Sequence, residues 1–92
     1  MSFCITVPNP VREKISSWGL DPQFELQVYQ TLRSELLAIP YPAEPDVVAP
    51  VRFRRVRFTL DSPAGTPHVF FFAFNDWRFP GRRVIVSARY LV

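Results

Sequence analysis

The chain has 92 residues, 48% of them apolar, one cysteine and a formal net charge of +3; that length predicts one small domain burying roughly 60–65% of the surface its unfolded form exposes. A lone Cys4 excludes an internal disulfide and a cysteine-rich metal site, and no N-terminal basic region precedes a long apolar run, so neither a secretory signal nor a membrane span is predicted and the cytoplasm is the default compartment. The charge is split: residues 1–46 carry Arg12, Lys14 and Arg33 against six acidic groups, whereas residues 47–92 carry eight arginines against Asp61 and Asp76, giving halves of −3 and +6.

Ser2 to Val7 is short, rich in β-branched residues and bounded by Pro8, the pattern of a first strand. Asn9-Pro10 then supplies an N-cap followed by proline at the first helical position, with Val11, Ile15 and Trp18 on one stripe and Gly19 at the stop. The same start signal recurs at Asp21-Pro22. After it, Phe24, Val28, Tyr29, Leu32, Leu36 and Ile39 repeat at helical spacing until Pro40, so two helices joined by a tight turn form a hairpin. Residues 40–50 hold Pro40, Pro42, Pro45 and Pro50 and predict a stiff, extended connection.

Three strands follow. Val51 to Leu60 interleaves Arg52, Arg54, Arg55 and Arg57 with apolar residues, and the apolar phase changes across Arg54-Arg55, as a β-bulge there would produce. Asp61 to Thr66 is a turn. Pro67 to Asn75 is apolar on both faces, with Val69 and Phe71 on one side and Phe70, Phe72 and Phe74 on the other, which suits a central strand. A second turn spans Asp76 to Gly81. In the last strand, Arg82 to Leu91, alternation places Val84, Val86, Ala88 and Tyr90 on one face and Arg83, Ser87 and Arg89 on the other. The predicted fold is α+β in the order β-α-α-β-β-β: a helical hairpin packed on one face of a largely antiparallel four-stranded sheet, with the arginines on the uncovered face.

Crowding arginines on one strand costs like-charge repulsion, so the face is solvated, paired with glutamates of the helical half, or meets an anion such as a nucleic-acid backbone or an acidic protein. Phe53 and Phe58 belong to the core phase and are not expected to stack on bases; Trp77 and Phe79, in the second turn, are candidates to stack on a base, grip a partner or fold back over the sheet edge. His68 is either a strand-end histidine or a proton-transfer group, and Asp61 and Asp76 are expected to bond their local backbone. Cys4 is expected to be a small buried hydrophobe. No metal-ligand spacing and no glycine-rich phosphate loop is present, so no cofactor is predicted, and no serine or threonine has a base at a recognisable spacing.

The element order, Leu32 to Ile39 ending at Pro40, the basic strand Arg52 to Phe58 and the final Val84-Ile85-Val86-Ser87-Ala88-Arg89-Tyr90 together resemble the RelE/ParE superfamily of toxins from type II toxin–antitoxin systems. The likeness spans nearly the whole chain and rests on topology and residue class. It implies a toxin with an antitoxin protein as partner, acting on mRNA at the ribosome as an endoribonuclease in the RelE branch, or on gyrase in the ParE branch. Matching positions imply substrate binding at Arg52, Arg54 or Arg55, Arg57 and Arg89, and the shared cationic face adds Arg83. Arg89 then becomes the transition-state stabiliser, with Arg57 beside it and His68 as the candidate acid or base. In the family a catalytic tyrosine often lies beyond the last strand, whereas Tyr90 lies within it at core parity. A non-catalytic module for an acidic protein partner is the alternative.

Overall fold

The computed structural model describes residues 4–39, 53–77 and 82–92, the side chains of Phe53, Asp76 and Trp77 excepted. The expected connection over 40–50 falls outside the described residues, as do Arg52 and Phe79. Six elements run in the order β1 (Cys4–Thr6), α1 (Asn9–Ser17), α2 (Pro22–Ala38), β2 (Phe53–Asp61), β3 (Pro67–Trp77) and β4 (Arg82–Leu91). The architecture is α+β, and its four strands form one mixed sheet in the order β1-β4-β3-β2. β2-β3 and β3-β4 are antiparallel, and β1 runs parallel to β4 through Cys4, Ile5 and Thr6. Cys4 is exposed on this edge strand, against the expectation of burial.

The helices start and stop where proline, aspartate and glycine dictate. The α1 N-cap is Pro8, one residue earlier than expected, and its carbonyl accepts from the Val11 and Arg12 amides at 3.0 Å each. Gly19 leaves the helix at φ +67°, a conformation that costs glycine nothing. Asp21 caps α2 with its carboxylate, accepting from the amides of Gln23 at 3.0 Å and Phe24 at 3.4 Å. From there Phe24, Val28, Leu32 and Leu36, each four residues apart, form a buried stripe. α1 packs against β4 and α2 against β2.

The stripe meets an aromatic layer on the sheet. Phe58, Phe70 and Tyr90 lie in one cross-strand row, with ring centroids 5.6 and 5.9 Å apart, and Val56, Phe72 and Ala88 form the next. Trp18, at the end of α1, packs on Tyr90 at 4.6 Å. Burying a side chain such as Phe70 or Phe72 contributes about 1.5–3 kcal/mol each, so this layer supplies much of the core.

Two phase assignments differ from expectation. β2 pairs with β3 without interruption from Phe53 to Asp61, so no bulge lies at Arg54-Arg55, and Arg54 shares the core-side phase of Val56, Phe58 and Leu60. The irregularity is in β4 instead: Ala73 pairs with Ser87 but Phe74 pairs with Ile85, leaving Val86 as the extra residue. Alternation therefore inverts before Val86. Ile85 and Arg83 turn to the core, while Val84 and the exposed Arg82 take the outer phase. β3 also runs on to Trp77, so Asp76 and Trp77 are strand residues rather than turn residues.

Arg83 is completely buried. Its guanidinium lies 5.5 Å from the Phe74 ring centroid and donates from Nη1 to the backbone carbonyl of Leu36, in the last turn of α2. That turn holds no basic residue of its own, so a cation from the sheet satisfies a carbonyl that the helix leaves open. Arg83→Ala is expected to cost about 2–4 kcal/mol, from an unpaired buried carbonyl plus lost packing, and Arg83→Met less, because the methionine refills the space. Urea denaturation with an unchanged m value checks this; an Arg83→Ala midpoint equal to wild type contradicts it.

Candidate functional site

Helices cover one side of the sheet, and on the opposite side the β2-β3-β4 register assembles successive rows. Arg57, Phe71 and Arg89 form one, Arg55, Ala73 and Ser87 the next, and Thr59, Val69 and Leu91 the row toward the β2-β3 turn. Strand alternation puts them on one surface because every member is two residues from its counterpart in the adjacent row. Arg55, Arg57 and Arg89 are exposed, Phe71 and Ala73 half-buried, and together with Ser87 they line an open groove of about 520 Å³. Small side chains at Ala73 and Ser87 form its floor, the arginines its rim.

The electrostatics of this surface are one-sided. Among the described residues, Arg55, Arg57 and Arg89 have no carboxylate partner, and the described acidic residue on the same phase, Asp61, is at the far end of β2, about 13 Å along the strand from Arg57. The charge here is carried by guanidiniums, whose planar forks suit bidentate contact with an oxyanion. The Tyr29 phenol is pushed above its ordinary pKa by burial, with Arg12 partly opposing, but it belongs to the helical layer.

The expected site residues divide between two faces. Arg55, Arg57 and Arg89 come together on the outer face. Arg54 and Arg83 do not join them: both guanidiniums lie over the Phe74 ring, at 5.9 and 5.5 Å, and Arg83 has no exposed surface with which to reach a ligand. Arg82 replaces Arg83 on the outer phase, six β3 residues along from the Arg57-Arg89 row. Trp77 ends β3, but its side chain, with Phe79 and Arg52, lies outside the described set.

His68 is on the helix side. Its ring packs edge-on to Phe24 at 5.3 Å and stacks with Tyr90 at 5.9 Å and Phe70 at 6.3 Å, and its buried Nδ1 has no hydrogen-bond partner among the described residues. The sheet therefore separates the candidate acid-base group from Arg57 and Arg89. Phe71 is the residue that sequence reasoning passed over: its odd parity among Phe70, Phe72 and Phe74 was visible, but its place between two arginines needed the cross-strand register.

Comparison of the chain with family models, curated proteins and solved structures finds no match. Among the described residues, no group of three or more histidine, cysteine, aspartate or glutamate side chains converges on a metal position, and no helix is long and apolar enough to cross a membrane.

An aromatic in place of His68 removes a buried polar atom that no described residue pairs. His68→Phe is expected to leave stability unchanged or raise it by up to about 1 kcal/mol, read as a shift in the urea midpoint. A loss beyond that range means Nδ1 is paired in solution.

Proposed function

We propose that this protein binds RNA phosphate through the outer face of its sheet, as a RelE-like toxin directed at mRNA on the ribosome. The observation that carries the reading is the triplet Arg55, Arg57 and Arg89, exposed around one groove and, among the described residues, without carboxylate partners. Clustered like charges repel one another, and that cost is recovered when a polyanion docks. Arginine forks suit phosphate oxygens, which they engage two at a time. The β-α-α-β-β-β order, with helices on one face and cations on the other, supports the RelE-like reading of the fold.

The position of His68 favours binding over cleavage by this chain's own groups. Opening RNA at its 2′-hydroxyl requires a proton acceptor and a proton donor beside the phosphate, and guanidinium supplies neither. Arg57 and Arg89 would stabilise the charge of such a transition state; the base would come from the ribosome or from the RNA itself.

Salt separates phosphate contacts from other modes of binding. The logarithm of the association constant for single-stranded RNA is expected to fall linearly with the logarithm of salt concentration, and replacing Arg55, Arg57 or Arg89 by Gln should flatten that slope by about 0.7 each. Slopes that do not change with these substitutions mean that the outer face is not the site. For the toxin reading, induced expression should arrest growth with loss of translated mRNA; DNA-damage signalling with intact mRNA would point to gyrase, and unimpaired growth to a non-toxic module for an acidic protein.

A further inference from the structure

Among the described side chains of the outer face, one large ring lies between cations, and the register fixes where. Phe71 of β3 stands directly between Arg57 of β2 and Arg89 of β4, the two flanking strands each about 4.8 Å away. Among the described residues, three other arginines lie over rings, Arg12 on Tyr29 and both Arg54 and Arg83 on Phe74, at 5.5 to 5.9 Å. Among the described residues, neither Arg57 nor Arg89 does so on Phe71. A half-buried phenyl ring is thus left open to the groove with a guanidinium on either side.

We propose that Phe71 is a stacking platform for an unpaired nucleobase, so that the ligand of this face is single-stranded RNA in particular. The inference rests on the RNA-binding reading and deepens it. A base laid on Phe71 places its own backbone at the rim, where Arg57 and Arg89 meet the phosphates on its two sides. Ala73 and Ser87, in the adjacent row, are too small to block the neighbouring nucleotide, and Arg55 meets its phosphate. The strands from this row to Arg82 extend the cationic track by about 20 Å, since Arg82 pairs with Trp77, six residues on from Phe71. A duplex cannot use the platform, because its bases are already paired and stacked inward, and it would meet the arginines alone. Every base has a π-face, so a ring platform discriminates by strandedness rather than by sequence.

The test compares three probes of matched length on the full chain: a single-stranded RNA of mixed sequence, the corresponding abasic ribose-phosphate chain, and the RNA duplex. The single strand is expected to bind roughly 5- to 150-fold tighter than the abasic chain, the range that one stacked base supplies. Phe71→Leu should remove that advantage and leave abasic binding unchanged, whereas Phe71→Tyr, which keeps a ring, should preserve it; the tyrosine variant also guards against misreading a folding defect in the leucine one. The stacking proposal is overturned if Phe71→Leu keeps the advantage, or if the duplex binds wild type as tightly as the single strand. Wild type that binds none of the three, or binds polyglutamate equally well, overturns the RNA reading itself.

Discussion

One extra residue in β4 decides how the cationic half of the chain is arranged. Without the irregularity at Val86, strict alternation would send Arg83 outward and Val84 inward, and the last turn of α2 would face a valine where it now meets a guanidinium. With it, Arg83 passes under α2, lies against Phe74 and closes the Leu36 carbonyl. A buried cation is expensive unless neighbours compensate it, and among the described residues Arg83 has a ring face in Phe74 and a helix carbonyl in Leu36. The bulge therefore fixes helix to sheet at one end, and the outer face inherits Arg82 in exchange.

The two sides of the sheet then differ in kind. On the helix side, rows of aromatic side chains from β2, β3 and β4 interlock with the Phe24-Val28-Leu32-Leu36 stripe, and His68 is enclosed among rings. On the other side, the same three strands present exposed arginines around half-buried Phe71 and Ala73. β3 makes this possible. As a central strand it can be apolar on both faces, giving Phe70, Phe72 and Phe74 to the core and Phe71 to the open side without exposing its backbone. A hydrogen-bonded floor fixes the backbone positions of the ring and its flanking arginines, while the exposed guanidiniums keep the freedom of their long stems.

What was legible in the sequence tracks how local each signal is. Asp21-Pro22, Gly19 and the four-residue spacing of α2 act within a turn of helix, and all three appear as expected. The parity of β3 was also plain, because three phenylalanines share one phase. The bulge was not. The β2 segment shows a phase change that the structure does not use, while Val84-Val86-Ala88-Tyr90 alternates perfectly and is nonetheless broken. Apolar alternation reports burial preference, but a valine tolerates half-exposure and an arginine stem tolerates burial, so the cost of inverting both is modest once the guanidinium finds partners. Cross-strand register, which brings Arg57, Phe71 and Arg89 together, is set by three strands jointly and has no single-strand signature.

The same geometry bears on the chemistry this face can perform. A guanidinium offers forked donors to an oxyanion but no site from which to take up a proton, so the described cations of this face, Arg55, Arg57 and Arg89, supply charge and hydrogen bonds but not a general base. Proton transfer is a different requirement, met only within hydrogen-bond reach of the reacting oxygen, and His68 projects from the face of β3 opposite to Phe71. No rotamer change carries a side chain through a hydrogen-bonded sheet. The outer face thus presents fixed positive charge, and among the described residues the imidazole that could move a proton stands on the other side of the sheet from it.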